Sequence, residues 1–128
     1  MTARFACVSL IPAPPETAFA LSLDIGLHLG SMAASGERAV GARTAGVLGP
    51  GEEVTWRARH FGVAWTMTSR ITQYEPAARF VDEQVRGPFR SFRHEHLFTG
   101  APGGTRMTDR IEFAAPVPLV GLAAASRP

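Results

Sequence analysis

The chain has 128 residues, 45% of them hydrophobic, and a formal net charge of +2. That fits one globular domain (residues 1–128) with a real core and excludes a disordered chain. All 13 basic residues are Arg and acids are interspersed with them, so no clustered basic face marks a nucleic-acid partner. No apolar run reaches the roughly 18 residues that cross a bilayer, so no integral membrane segment is expected. The start, MTARFACVSLIPAPP, lacks the apolar stretch of a signal peptide. A lone Cys7 allows no internal disulfide and no cysteine metal site, in keeping with a cytoplasmic protein.

Residues 4–11 alternate and are apolar on both sides, as a covered strand would be, with Cys7 as a core residue. Pro12, Pro14 and Pro15 stop that strand. Pro15 followed by Glu16 is a helix start, because proline has no N–H to lose there and an acid suits the positive end of the helix dipole. Ala18, Phe19, Ala20, Leu21 and Leu23 make the helix short and apolar. Asp24 is placed to cap a second short turn carrying His28, and Gly26 and Gly30 keep it short.

From Glu37 onward the pattern is strands and turns. Residues 38–47 predict a strand and Leu48-Gly-Pro-Gly51 a turn. Residues 53–60 and 64–74 alternate cleanly, broken by Phe61-Gly62. Glu75-Pro76 turns the chain into RFVDEQVRGPFRSFRHEHLF, residues 79–98, which reads as two strands joined by a two-residue turn at Gly87-Pro88. Residues 100–104 turn again, and 105–113 form the last strand. The fold class predicted is α+β: an antiparallel, curved sheet of six to seven strands with two short helices after the first strand.

Period-two alternation places one side of each strand on the concave face. That face collects Trp56 and His60, then Trp65 and Met67, then Val81, Glu83 and Val85. It continues with Phe92, His94, His96 and Phe98, then Met107, Asp109, Ile111 and Phe113, and His28 could point at the same space. A β-bulge would invert a strand's faces beyond it. Ionisable groups among aromatics are costly unless paired. Three readings stay open: a satisfied structural network of Glu83, Asp109 and the histidines; a part-polar pocket that orients a small molecule; and acid–base chemistry by a desolvated Glu83 beside a histidine. His94 and His96 with Glu83 form a conceivable metal set, but H-x-H on a strand is a weak signal and no metal or cofactor is expected.

The segments PAPPETAF, SGERAV, GEEVTWRARHFG, TSRITQYEPAARFVDEQVRGPFRSFRHEHLF and GGTRMTDRIEF span about residues 5–116. They resemble the SRPBCC superfamily of START-like, helix-grip proteins, and among these the small bacterial chains of polyketide cyclase/dehydrase-like or lipid-transport-like type. The resemblance implies a sheet wrapped around a long C-terminal helix, with an apolar ligand cavity between them. It implies binding of a small hydrophobic or aromatic ligand, lipid- or polyketide-like. The positions matching the recurrent polar pattern are His28, Trp56, His60, Glu83, His94, His96 and Asp109, with Trp65, Met67 and Phe92 as further lining. An enzymatic alternative is a cyclase or dehydratase using Glu83 and a histidine. Members usually continue through a helix of about 20 residues, long enough to cross a domain. Here APVPLVGLAAASRP follows Phe113-Ala114, so a C-terminal helix truncated after about residue 116 is expected. The concave face thus exposed predicts a homo-oligomer that covers it.

Overall fold

The structure, a computed structural model, describes residues 2–27, 38–41, 43–60 and 63–115, with the backbone alone at 59, 60 and 63. Seven strands form one antiparallel sheet: β1 (Thr2–Ile11), β2 (Arg38–Val40), β3 (Glu53–His60), β4 (Val63–Glu75), β5 (Arg79–Arg86), β6 (Ser91–Ala101) and β7 (Gly104–Ala114). Their order in space is β1-β7-β6-β5-β4-β3-β2, so the first strand closes onto the last and the others follow as a meander. This is the helix-grip α+β architecture that the sequence predicts.

Helix α1 (Pro15–Ser22) begins with proline in its first turn and Glu16 beside it, and ends where the Leu23 N–H donates to the Ala20 carbonyl and the Asp24 N–H to the Leu21 carbonyl. It buries Ala18 and Phe19. Phe19 is the hub of one end of the core, edge-to-face with Tyr74, Phe80 and Phe98 at ring separations of 5.3–5.6 Å. Such aromatic pairs add to simple burial. Asp24 caps the next turn, its Oδ1 accepting the Leu27 N–H at 3.0 Å. Residues 25–27 are helical, while His28 lies outside the described residues. So do residues 116–128, where the truncated C-terminal helix is expected.

Two irregularities curve the sheet. Between β4 and β5 the register shifts at Thr68/Ser69 and again at Ile71/Gln73. At the second, Thr72 is an extra residue on β4, so Ile71 and Tyr74 both face inward although an odd number of steps separates them. At the first, Val85 is the extra residue on β5. Bulges of this kind bend a strand and increase its twist.

Three expectations are corrected. The strand predicted over residues 38–47 shortens to three residues. The chain instead wraps around Arg43, which donates to Glu52, to the Ala45 carbonyl and to the Val47 carbonyl. The turn at Gly87-Pro88 is a four-residue loop, residues 87–90, held by the Gln84 side chain, which donates to the Phe89 carbonyl and accepts its N–H. A Cβ on Gly87 would lie 2.2 Å from Gln84 Oε1, so glycine is there for space rather than for a left-handed backbone. Strand β1 is an exposed edge rather than a covered strand. Phe5 is 50% and Leu10 73% exposed and Cys7 is exposed rather than core; β1 pairs with β7 alone, and among the described residues its side chains stand open on both faces.

Candidate functional site

The concave face of β3–β6, closed at one end by the segment after α1, forms a cavity of about 320 Å3. Leu23, Ile25, Leu48, Val54, Ile71 and Phe80 make its apolar floor, and Trp56, Trp65, Met67, Phe89 and Phe92 its wall. The polar lining is Ser22, Asp24, Ser69, Asp82, His94 and His96. A mostly apolar cavity with a few convergent polar groups is the usual form of a small-molecule site.

Those polar groups converge because of strand pairing. Asp82 on β5 sits opposite His94 on β6, and Phe80 opposite His96. His96 in turn sits opposite Asp109 on β7. Three rings stack in a row: Phe80 on His96 at 4.0 Å and His96 on His94 at 3.7 Å. His96 Nε2 lies 2.8 Å from Asp82 Oδ2, and its Nδ1 3.2 Å from Asp109 Oδ1. His94 Nε2 lies 2.8 Å from the same Asp109 oxygen. The result is a chain of four groups, Asp82–His96–Asp109–His94, with every member largely shielded from water.

With a carboxylate at each ring nitrogen, His96 donates from both, which is the imidazolium form. Burial opposes that charge, but the hydrogen bonds to Asp109 and Asp82 outweigh it and raise the pKa above the ordinary value. Asp109 shows the converse. Burial would raise it, yet the hydrogen bonds from His94 and His96 hold it well below the usual carboxylate range.

Of the residues singled out from the sequence, Trp56, Trp65, Met67, Phe92, His94 and His96 line the cavity. Asp109 stands behind the two histidines as their shared acceptor. Glu83 does not join them. It projects from the convex side and accepts a hydrogen bond from Thr72 Oγ1 at 2.6 Å. The carboxylate at the cavity is its neighbour Asp82. Val81, also expected inward, is on the convex side and is nonetheless fully buried. Its cross-strand partners Gln73 and Glu95 both accept hydrogen bonds from Arg79, which close over it. His28 lies outside the described residues, and of His60 the structure describes only the backbone.

The one group with metal-ligand spacing among the described residues is Asp82, His94 and His96, whose donor atoms lie within 4.8 Å of one another. A cation there would have to displace an N–H proton that His96 donates to a carboxylate.

Comparison with known proteins places this architecture. The sequence matches the family described as polyketide cyclase / dehydrase and lipid transport over residues 2–127. The chain belongs to that family. With it comes the SRPBCC, helix-grip superfamily that the sequence segments resemble. No curated protein matches the sequence. Among solved structures, TTHA0849 from Thermus thermophilus is similar with a TM-score of 0.72 at 19% identity, covering 96% of this chain and 82% of that one. Protein Ms6760 from Mycobacterium smegmatis gives 0.66 at 19% identity, covering 94% and 78%. Ginseng major latex-like protein 151 from Panax ginseng gives 0.63 at 15% identity, covering 89% and 80%. At these identities the likeness is one of fold. In the family's terms, the cavity sits on the concave side of the helix-grip sheet, and no helix among the described residues is long and apolar enough to cross a membrane.

Proposed function

We propose that this chain binds a small hydrophobic or aromatic ligand, lipid- or polyketide-like, in the concave cavity. The ligand's apolar body lies among Trp56, Trp65, Met67 and Phe92, and its polar end meets Asp82, His94 and His96. The observation that carries the reading is the sorting of the lining: apolar side chains over most of the cavity, with Asp82, His94 and His96 gathered within 4.8 Å of one another. Membership of a cyclase/dehydrase and lipid-transport family agrees with it. The single cysteine agrees with a cytoplasmic setting. The exposed apolar side chains of β1, among them Phe5, Val8 and Leu10, agree with self-association, which light scattering over a range of concentrations would register.

The chain holds two tryptophans and both line the cavity, so intrinsic fluorescence reports its occupancy. Titration with a neutral apolar dye such as N-phenyl-1-naphthylamine is expected to quench that fluorescence saturably and to raise the melting temperature. Absence of both effects would overturn the reading.

A second reading is favoured by the His96 geometry. Asp82, lining the cavity with its Oδ2 held by the His96 imidazolium, is a carboxylate oriented for acid–base work, as a cyclase or dehydratase needs. Asp82 and His96 would then take the roles that sequence alone gives to Glu83 and a histidine. Turnover with a bell-shaped pH profile, lost in His96→Gln while dye binding persists, would establish it. Ligand binding with no turnover leaves the carrier.

A further inference from the structure

We infer that the cavity sorts ligands by the charge of their polar end, taking a hydrogen-bond donor such as a hydroxyl or an ammonium group and rejecting a carboxylate or other anion. The inference deepens the cavity reading above and rests on it.

The argument starts from where the cations are. All 13 basic side chains of the chain are Arg, yet among the described residues none lines the cavity. They are placed elsewhere: Arg70 against Glu53, Arg79 against Glu75 and Glu95, Arg110 near Glu95, Arg43 against Glu52. The ionisable lining is Asp24, Asp82, His94 and His96.

His96, the one cation that this site builds, is already spent. Both its nitrogens are held by carboxylates, so it has no N–H left for a ligand. His94 gives its Nε2–H to Asp109. Asp82 uses Oδ2 on His96, which leaves Oδ1 able to accept. The Ser22 hydroxyl proton is taken up by the Ala18 carbonyl and the Met107 sulfur.

Among the described residues the lining therefore holds two carboxylates, no arginine and a His96 whose N–H groups are both taken, inside an apolar shell that strengthens the electrostatic preference. A ligand carboxylate entering there loses its water, finds no free cation, and faces Asp24 and Asp82. A hydroxyl finds an acceptor, and an ammonium finds both an acceptor and the unbalanced negative charge.

A matched series tests this on the intact chain: decan-1-ol, decylamine and decanoate at pH 7.5, by calorimetry and by tryptophan quenching. The alcohol and the amine are expected to bind at least tenfold more tightly than decanoate. In Asp82→Asn the advantage of the amine over decanoate should fall to threefold or less, with the alcohol little changed. Asp24→Asn, which keeps an oxygen to cap Leu27, gives a second variant should Asp82→Asn fold poorly, and is expected to narrow the same gap. Decanoate binding as tightly as the amine to the unaltered chain would overturn the inference and leave the cavity reading standing. Failure of all three to bind would overturn both.

Discussion

Strands β5 and β6 carry charge on both of their sides, and the two sides are built differently. On the convex side the partners are permanent ions: Arg79 donates to Glu95 and Glu75, and Arg110 of β7 lies near Glu95. On the concave side, one residue along, the partners are Asp82, His96, Asp109 and His94. Guanidinium holds its proton at every pH a protein survives, whereas imidazole does not. The convex network is therefore a fixed clasp with solvent beside it. The concave one is a proton-dependent assembly whose charge is set by the medium and by what enters the cavity.

Breaking the concave side should cost most. Asp109→Ala removes the shared acceptor and leaves two largely buried histidines without it. A loss of about 3 kcal/mol is expected by urea unfolding, since stranding a buried partner is what makes such changes expensive. A loss below about 1 kcal/mol, typical of solvated pairs, would show that the cluster is wet after all.

The next effect is one of pH, with opposite signs for the two groups. His96 binds its proton more tightly folded than unfolded, so its contribution is complete below its ordinary value of 6.5 and fades as pH rises through the higher folded value. Asp109 is held low, so its contribution is complete above 3.8 and is lost as pH falls through the lower folded value. The cluster thus stabilises best between those two ordinary values. Melting temperature should fall from pH 6.5 into the alkaline range in the parent chain, and His96→Gln should flatten that limb. Glu95, lowered by the Arg79 hydrogen bond, adds a dependence at the acid end only.

Smaller effects sharpen the contrast from the convex side. Arg79→Ala should cost about 1 kcal/mol, near the upper end for an ion pair that solvent still reaches, and should uncover Val81. The gap between parent and variant should narrow with added salt, whereas the Asp109→Ala gap should not. Smallest is Gly87→Ala. Its Cβ would push Gln84 off Phe89, and losing that clasp is worth about 1 kcal/mol or less.

Much of this architecture is legible in the chain. The alternation of β3, β4 and β6 places Trp56, Trp65, Met67, Phe92, His94 and His96 correctly, because on each of those strands one side is plainly richer in apolar groups. Strand β5 is where alternation is silent. Phe80-Val81-Asp82-Glu83 puts one apolar and one acidic residue on each face, so a slip of one residue gives an equally good pattern. Only pairing decides it: Phe80 falls opposite His96, Asp82 opposite His94, and Glu83 turns outward. Counting aliphatic side chains makes Val81 and Val85 the inward pair and takes Glu83 with them. A rule that weights ring stacking over aliphatic count favours Phe80. The exposure of β1 is hidden for another reason. Its composition is that of a covered strand, and nothing local distinguishes an edge from a centre.

Thr72 has a consequence for how β4 tolerates length change. The inward set on that strand runs Met67, Ser69, Ile71, and then Tyr74 rather than Gln73. A chain one residue shorter, lacking Thr72, would therefore keep every later side chain of β4 on its present side. What it would lose is the bend, along with the hydroxyl that holds Glu83 outside. Sheet curvature and side-chain orientation are separately adjustable at this point, and a deletion here would flatten the cup without reshuffling what faces into it.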